Sequence, residues 1–114
     1  MDALTPVLIA KALDGLSARA EATAANIANA NSRAYRPLRV DFEERLRIAA
    51  GQDAAAIAAV TPRTVAAQTP PHGSEMRMDL ELATASQTSM RYAALVDVLG
   101  REMGIMRAAI EGGR

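Results

Sequence analysis

Two stretches of this chain carry apolar or small residues in steps that alternate four and three. That is the 3.5-residue period of a helix packed along a seam. The first stretch runs Ile9, Leu13, Leu16, Ala20, Thr23, Ile27, Ala30. The second runs Met78, Leu82, Ala85, Ser89, Tyr92, Val96, Leu99, Met103, Met106, Ile110. In the second, Met90, Ala94, Leu95 and Val98 widen the apolar face, which suits contact with more than one neighbouring helix. Thr5 as N-cap and Pro6 in the first turn suit a helix start, because proline's missing N–H would be unpaired there anyway. The pattern predicts helices over 5–31 and 75–110, the first ended by Asn31-Ser32 and the second by Gly112-Gly113. Gly15 is the weak point of the first helix, at about 1 kcal/mol against Ala.

The middle reads differently. Pro37 disfavours the helical region for Arg36. Residues 32–50 are expected to form a loop and a short helix capped by Asp41, with Phe42 and Leu46 on one face. Gly51 ends it. Residues 51–74 hold an alanine-rich stretch, Thr61-Pro62, and Thr69-Pro70-Pro71-His72-Gly73-Ser74. Such a composition predicts an extended, flexible linker. The fold expected is therefore all-α, one domain over 1–114. Its N- and C-terminal helices would form an antiparallel hairpin or coiled coil. In that hairpin Met103, Met106 and Ile110 would lie beside Ile9, Leu13 and Leu4.

Composition narrows the function classes. Half the chain is hydrophobic but only 3% is aromatic, so alanine supplies much of the apolar fraction and little bulk is left for a deep core. A long packed seam fits that better than an enzyme built round a pocket. Thirteen basic residues balance thirteen acidic ones, which gives no basic excess for nucleic acid. The chain has no Cys. No apolar run approaches the length of a membrane span, and the start lacks the basic segment of a cleaved secretory signal.

No catalytic, cofactor-binding or metal-binding residues are expected. His72 is the sole histidine and sits in the Pro/Gly stretch. Asp41, Glu43 and Glu44 lie among Arg45 and Arg47, as on a solvated helical face. Gly100 and Gly104 lie four apart on one flank, where small residues let another helix come close. The sharper hint is Asn26 and Asn29, which with Arg33 form a stripe separate from the seam. Asn is a poor helix former because its side chain competes for backbone hydrogen bonds. Two of them in mid-helix point to bonding outside the hairpin, with helix termination as the plain alternative.

Residues 25–36, Ala25-Asn26-Ile27-Ala28-Asn29-Ala30-Asn31-Ser32-Arg33-Ala34-Tyr35-Arg36, resemble the N-terminal signature of the flagellar rod and hook proteins, close to SNIANxxTPGYK. Val40-Asp41-Phe42 with Leu46, then Met78-Asp79-Leu80-Glu81, Arg91-Tyr92-Ala93-Ala94-Leu95 and Met106-Arg107-Ala108-Ala109-Ile110, are similar to the proximal-rod, FlgB-type branch of that family. FlgC-type rod proteins are the nearest alternative within it. Ser32-Arg33-Ala34 stands where the family has Thr-Pro-Gly, and Ala25 where it has Ser. Losing that Gly removes the inexpensive route to positive φ, so the turn before Tyr35 is expected to differ.

The resemblance implies a non-enzymatic structural subunit of the periplasmic basal-body rod, the drive shaft and export channel. It implies export by the flagellar type III system without a cleaved signal peptide. It also implies self-assembly and contact with FliE, FlgC, further rod subunits and the MS ring, with no cofactor, nucleic acid or small-molecule substrate. Seam and subunit packing would fall to Ile9, Leu13, Leu16, Ile27, Leu82, Tyr92, Val96, Leu99, Met103, Met106 and Ile110. The family motif and inter-subunit contacts would fall to Asn26, Asn29, Tyr35, Asp41, Phe42 and Arg91. The rival reading outside this family is a helical-hairpin protein-binding module, such as a small chaperone or regulator.

Overall fold

The computed structural model describes residues 3–67 and 76–113. The chain is mostly helical. A long N-terminal helix, α1 (Leu4–Ala28), packs against a longer C-terminal one, α4 (Met78–Gly112). Between them lie β1 (Leu38–Asp41), α2 (Glu43–Ala50), α3 (Ala54–Ala58) and β2 (Arg63–Ala66). His72 and Thr69-Pro70-Pro71 lie outside the described residues.

Helix α1 starts one residue earlier than expected, with Ala3 in the capping position. Thr5 and Pro6 therefore fall inside the first turn, where N–H groups have no intrahelical partner and proline is tolerated. It ends at Ala28, short of residue 31. Asn29 is the C-cap, and both its backbone N–H (3.1 Å) and its side-chain amide (2.9 Å) donate to the Ala25 carbonyl. Helix termination is thus the work Asn29 does within this chain.

The turn that follows corrects one expectation. Ala34 adopts φ 64°, the left-handed conformation that a glycine would take without strain. The Tyr35 N–H reaches back to the Ser32 carbonyl at 3.4 Å. The turn keeps a positive-φ geometry although glycine is missing, at about 1–2 kcal/mol for the Cβ clash.

The middle segment is more ordered in outline than a linker. β1 and β2 pair antiparallel, with Leu38 opposite Ala66 and Asp41 opposite Arg63. The Ala67 N–H donates to the Pro37 carbonyl at 2.7 Å and extends the ladder. Asp53 caps α3 by accepting from the Ala56 N–H at 2.8 Å. Arg45 closes the excursion between the strands, donating to the Thr61 carbonyl (2.8 Å) and the Asp41 carbonyl (2.6 Å). Residues 51–67, expected to be extended, thus hold a helix and a strand, because Ile57 and Val60 supply apolar anchors that bury with Leu46 and Ala49. Asp41 does not cap α2. It is the last residue of β1, and Phe42 occupies the capping position.

The core sits where this insert lies on α1. Phe42 packs flat against Gly15: a Cβ at Gly15 would lie 2.5 Å from the ring, well inside contact distance. The Arg19 guanidinium covers the Phe42 ring at 5.0 Å from its centroid. Gly15 is therefore a docking surface for an aromatic ring, not merely a weak helix former.

Helix α4 spans 35 residues, about 52 Å at the standard rise, whereas the 25 residues of α1 span about 37 Å. The molecule measures 67 × 26 × 14 Å, with a radius of gyration of 17.9 Å against about 13 Å for a compact chain of this length. The shorter helix cannot cover the longer one. Among the described residues of α4 only Glu81 and Thr88 are buried; Thr84, Ala85, Leu95 and Leu99 are half-buried. These positions also step by fours and threes, but Leu82 and Val96 lie roughly 70–115° round the helix from the centre of their stripe by the 100° rule. Met103, Met106 and Ile110 are 56%, 50% and 69% exposed, not buried beside Ile9, Leu13 and Leu4.

Candidate assembly interface and the clasp behind it

Asn26 is fully buried, at 0% exposure. Its carbonyl oxygen accepts from the Leu38 N–H (2.8 Å) and the Tyr35 hydroxyl (2.9 Å). Its amide nitrogen donates to the Leu38 carbonyl (3.0 Å) and to Oε2 of Glu81 (3.0 Å). A primary amide offers two donors and two lone pairs, and all four are used. Toward Leu38 the side chain exchanges one donor and one acceptor with the same residue, as a neighbouring strand would. One side chain thereby joins α1, the turn, β1 and α4. Bonding outside the hairpin is expected of the Asn stripe, but the Asn29 amide bonds within α1 and all the partners of Asn26 belong to the same chain, Glu81 on the other long helix among them.

Glu81 completes the clasp. It is 2% exposed, and its second oxygen, Oε1, accepts from Arg39 at 2.9 Å. A buried carboxylate is tolerated only when paired and hydrogen-bonded, and both conditions are met here. No buried side-chain polar atom lacks a hydrogen-bond partner among the described residues. A second charged tie lies nearby. Arg19 makes a bidentate pair with Glu43 (2.6 and 2.7 Å) and also donates to the Val40 carbonyl (2.8 Å). The hydrogen bonds from Arg19 hold the Glu43 carboxyl below its ordinary pKa against a smaller effect of burial. The same bonds raise Arg19.

The residues expected to matter fall into distinct places. Ile9, Leu16, Asn26 and Phe42 are buried; Leu13, Ile27, Asn29, Tyr35 and Leu99 are half-buried; Asp41 and Arg91 are exposed. Leu82, Tyr92, Val96, Met103, Met106 and Ile110 lie exposed on α4, joined by Met90, Val98 and Ile105. Gly100 and Gly104 face open space. These large apolar side chains along one helix have no cover within the described residues.

Sequence reasoning missed three participants. Glu81 sits between Leu80 and Leu82, but Asp79 two residues earlier is charged as well, so the sequence did not single it out. Arg39 gave no signal either. Gly15 gave one, since a lone glycine in a helix often marks close approach of another group. A cleft of about 550 Å³ was also not legible. Leu8, Ala12 and Leu16 of α1, Phe42, Leu46 and Ala50 beside or on α2, and Ala94 and Leu95 of α4 line it, with Glu43, Arg47 and Arg91 as its charged members.

No protein-family model matches the chain, and no curated protein matches it. Among the described residues no helix is long and apolar enough to cross a membrane, and no group of three or more His, Cys, Asp or Glu could hold a metal.

Proposed function

We propose that this chain is a non-enzymatic structural subunit of the bacterial flagellar basal-body rod, of the proximal, FlgB type. Its terminal helices form an antiparallel hairpin that packs with those of neighbouring subunits round the export channel. The observation that carries the reading is the clasp. Asn26 and Tyr35 belong to the rod-and-hook-like signature, and Glu81 to the stretch similar to the C-terminal half of the proximal-rod proteins. The three meet in one hydrogen-bonded unit. The antiparallel arrangement is supported by the order of neighbours. Asn26 meets Glu81, Leu16 shares a cleft wall with Tyr92, and Leu8 and Ala12 share one with Leu95.

In this reading the exposed apolar side of α4 is covered by FliE, FlgC, further rod subunits or other copies, at the MS ring and along the periplasmic rod. The chain reaches that place through the flagellar type III apparatus without a cleaved signal peptide. Torque passes through many interlocked helices, which accounts for a long seam and little core. Gene deletion tests this. The expected result is loss of motility and of rods in basal bodies seen by electron microscopy, both restored by the wild-type chain. A deletion strain that swims normally would overturn the reading.

A further inference from the structure

The apolar end of α4 and the cleft between α1, α2 and α4 are complementary surfaces. The exposed stripe Met103, Met106, Ile110 runs seven residues, about 10 Å along the helix. The cleft is floored along α1 from Leu8 to Leu16, about 12 Å at the same rise. Its walls are apolar, and its charged members are two arginines, Arg47 and Arg91, against Glu43. Glu43 is already neutralised by Arg19 and Arg47 by Glu44, so the cleft's one charge without an ion pair among the described residues is Arg91. The helix end carries the reverse balance. Glu102 and Glu111 flank the stripe with Arg107 between them, and none of the three is ion-paired among the described residues.

A chain cannot fill its own cleft this way. Ala94 and Leu95 form one wall, and Ile110 lies 15–16 residues further along the same unbroken helix, about 24 Å away. The occupant must come from another molecule. We propose that the Met103–Ile110 end of α4 docks in the cleft of a second copy of this chain, with Glu111 approaching the Arg91 side. The contact joins two different surfaces, so the first copy keeps an unused cleft and the second an unused helix end. Such a head-to-tail contact propagates into an open chain or ring and does not stop at a dimer. The proposal rests on reading the chain as an assembly subunit, but it does not need the flagellar identity.

The absence of cysteine from the sequence makes the test direct. Ala94→Cys marks the cleft and Ile110→Cys marks the helix end; both positions are exposed. With a short bismaleimide, each single variant alone should stay monomeric on a denaturing gel. A mixture of the two should give one cross-linked dimer, and the double variant should give a ladder of oligomers. Dimers from Ile110→Cys alone would mean tail-to-tail contact and overturn the proposal. So would a cross-linked monomer from the double variant, which requires α4 to fold back, and so would no product at all.

Sedimentation supplies the second arm. The wild-type chain should gain mass with concentration, and Met106→Asp should weaken that association at least about tenfold with unchanged helicity. Equal association of both proteins would also overturn the proposal. Motility of a deletion strain scores the rod reading separately. Ladders without a motility defect leave the docking standing alone, and a motility defect without ladders does the reverse.

Discussion

The two ends of α4 carry similar residue patterns and meet opposite fates. Around Glu81 and Thr88 the helix is covered by α1, and β1 joins it through the clasp. Beyond Leu99 it stands exposed at Met103, Ile105, Met106 and Ile110, all more apolar than the two residues buried at the covered end, Glu81 and Thr88. Burial along α4 therefore does not follow side-chain hydrophobicity. It follows where a second element exists to lie on the helix. The covered end is held by directional hydrogen bonds that fix one register, whereas the exposed end offers non-directional apolar area suited to another molecule.

The largest expected effect would break the covered end. Asn26→Leu leaves the Leu38 N–H and C=O, the Tyr35 hydroxyl and the Glu81 carboxylate short of partners in a buried place. We expect a loss of about 3–5 kcal/mol, much of the stability of a small domain. Urea titration followed by circular dichroism reads it; a change under about 1 kcal/mol would mean that water replaces the amide without difficulty.

Next in size is Gly15→Ala. Helix propensity alone predicts a gain of about 1 kcal/mol. The Phe42 ring at 2.5 Å from the new Cβ predicts a loss of about 1–3 kcal/mol from overpacking. The sign of the change in denaturation midpoint decides between local propensity and tertiary contact.

Ala34→Gly acts in the opposite direction. Relief of the left-handed strain, less the extra freedom glycine gives the unfolded chain, should stabilise the protein by about 0.5–1 kcal/mol. A lower melting temperature than that of the parent would show that the turn has another source of strain.

Smaller still is the pH term at Glu43. Its folded pKa lies below the ordinary value of 4.5 through the Arg19 hydrogen bonds. A depressed carboxylate pKa adds stability that is present above the unfolded value and is lost as pH falls through the folded one. The pair is partly exposed, so solvent screening limits the term to about 0.5 kcal/mol. Wild type and Glu43→Gln should therefore differ slightly at neutral pH, and that difference should vanish in acid, below the carboxylate range. A difference that persists there would assign the effect to packing against Phe42.

The exposed end should barely respond. Met106→Ser and Ile110→Ser are expected to change monomer stability by less than about 0.5 kcal/mol, measured at a concentration too low for association. A loss of 2 kcal/mol or more, the size of a core deletion, would mean that this end is covered within the chain after all.

Both long helices were legible in the sequence, because a four-three repeat of apolar residues is a local property that survives any tertiary arrangement. Their ends were legible to within a few residues, with Asn29 and Gly113 in capping positions. So was the special character of Asn26, a poor helix former in mid-helix. Tertiary structure alone decided what Asn26 bonds to, because Leu38 and Glu81 lie 12 and 55 residues away and no periodicity links them. It decided that Gly15 receives a ring, and that an alanine-rich stretch holds a helix and a strand once Ile57 and Val60 find Leu46 and Ala49. It also decided which stripe of α4 is covered. A repeat fixes which side chains share a face, but only the length and position of the neighbouring helix fix which face is removed from water.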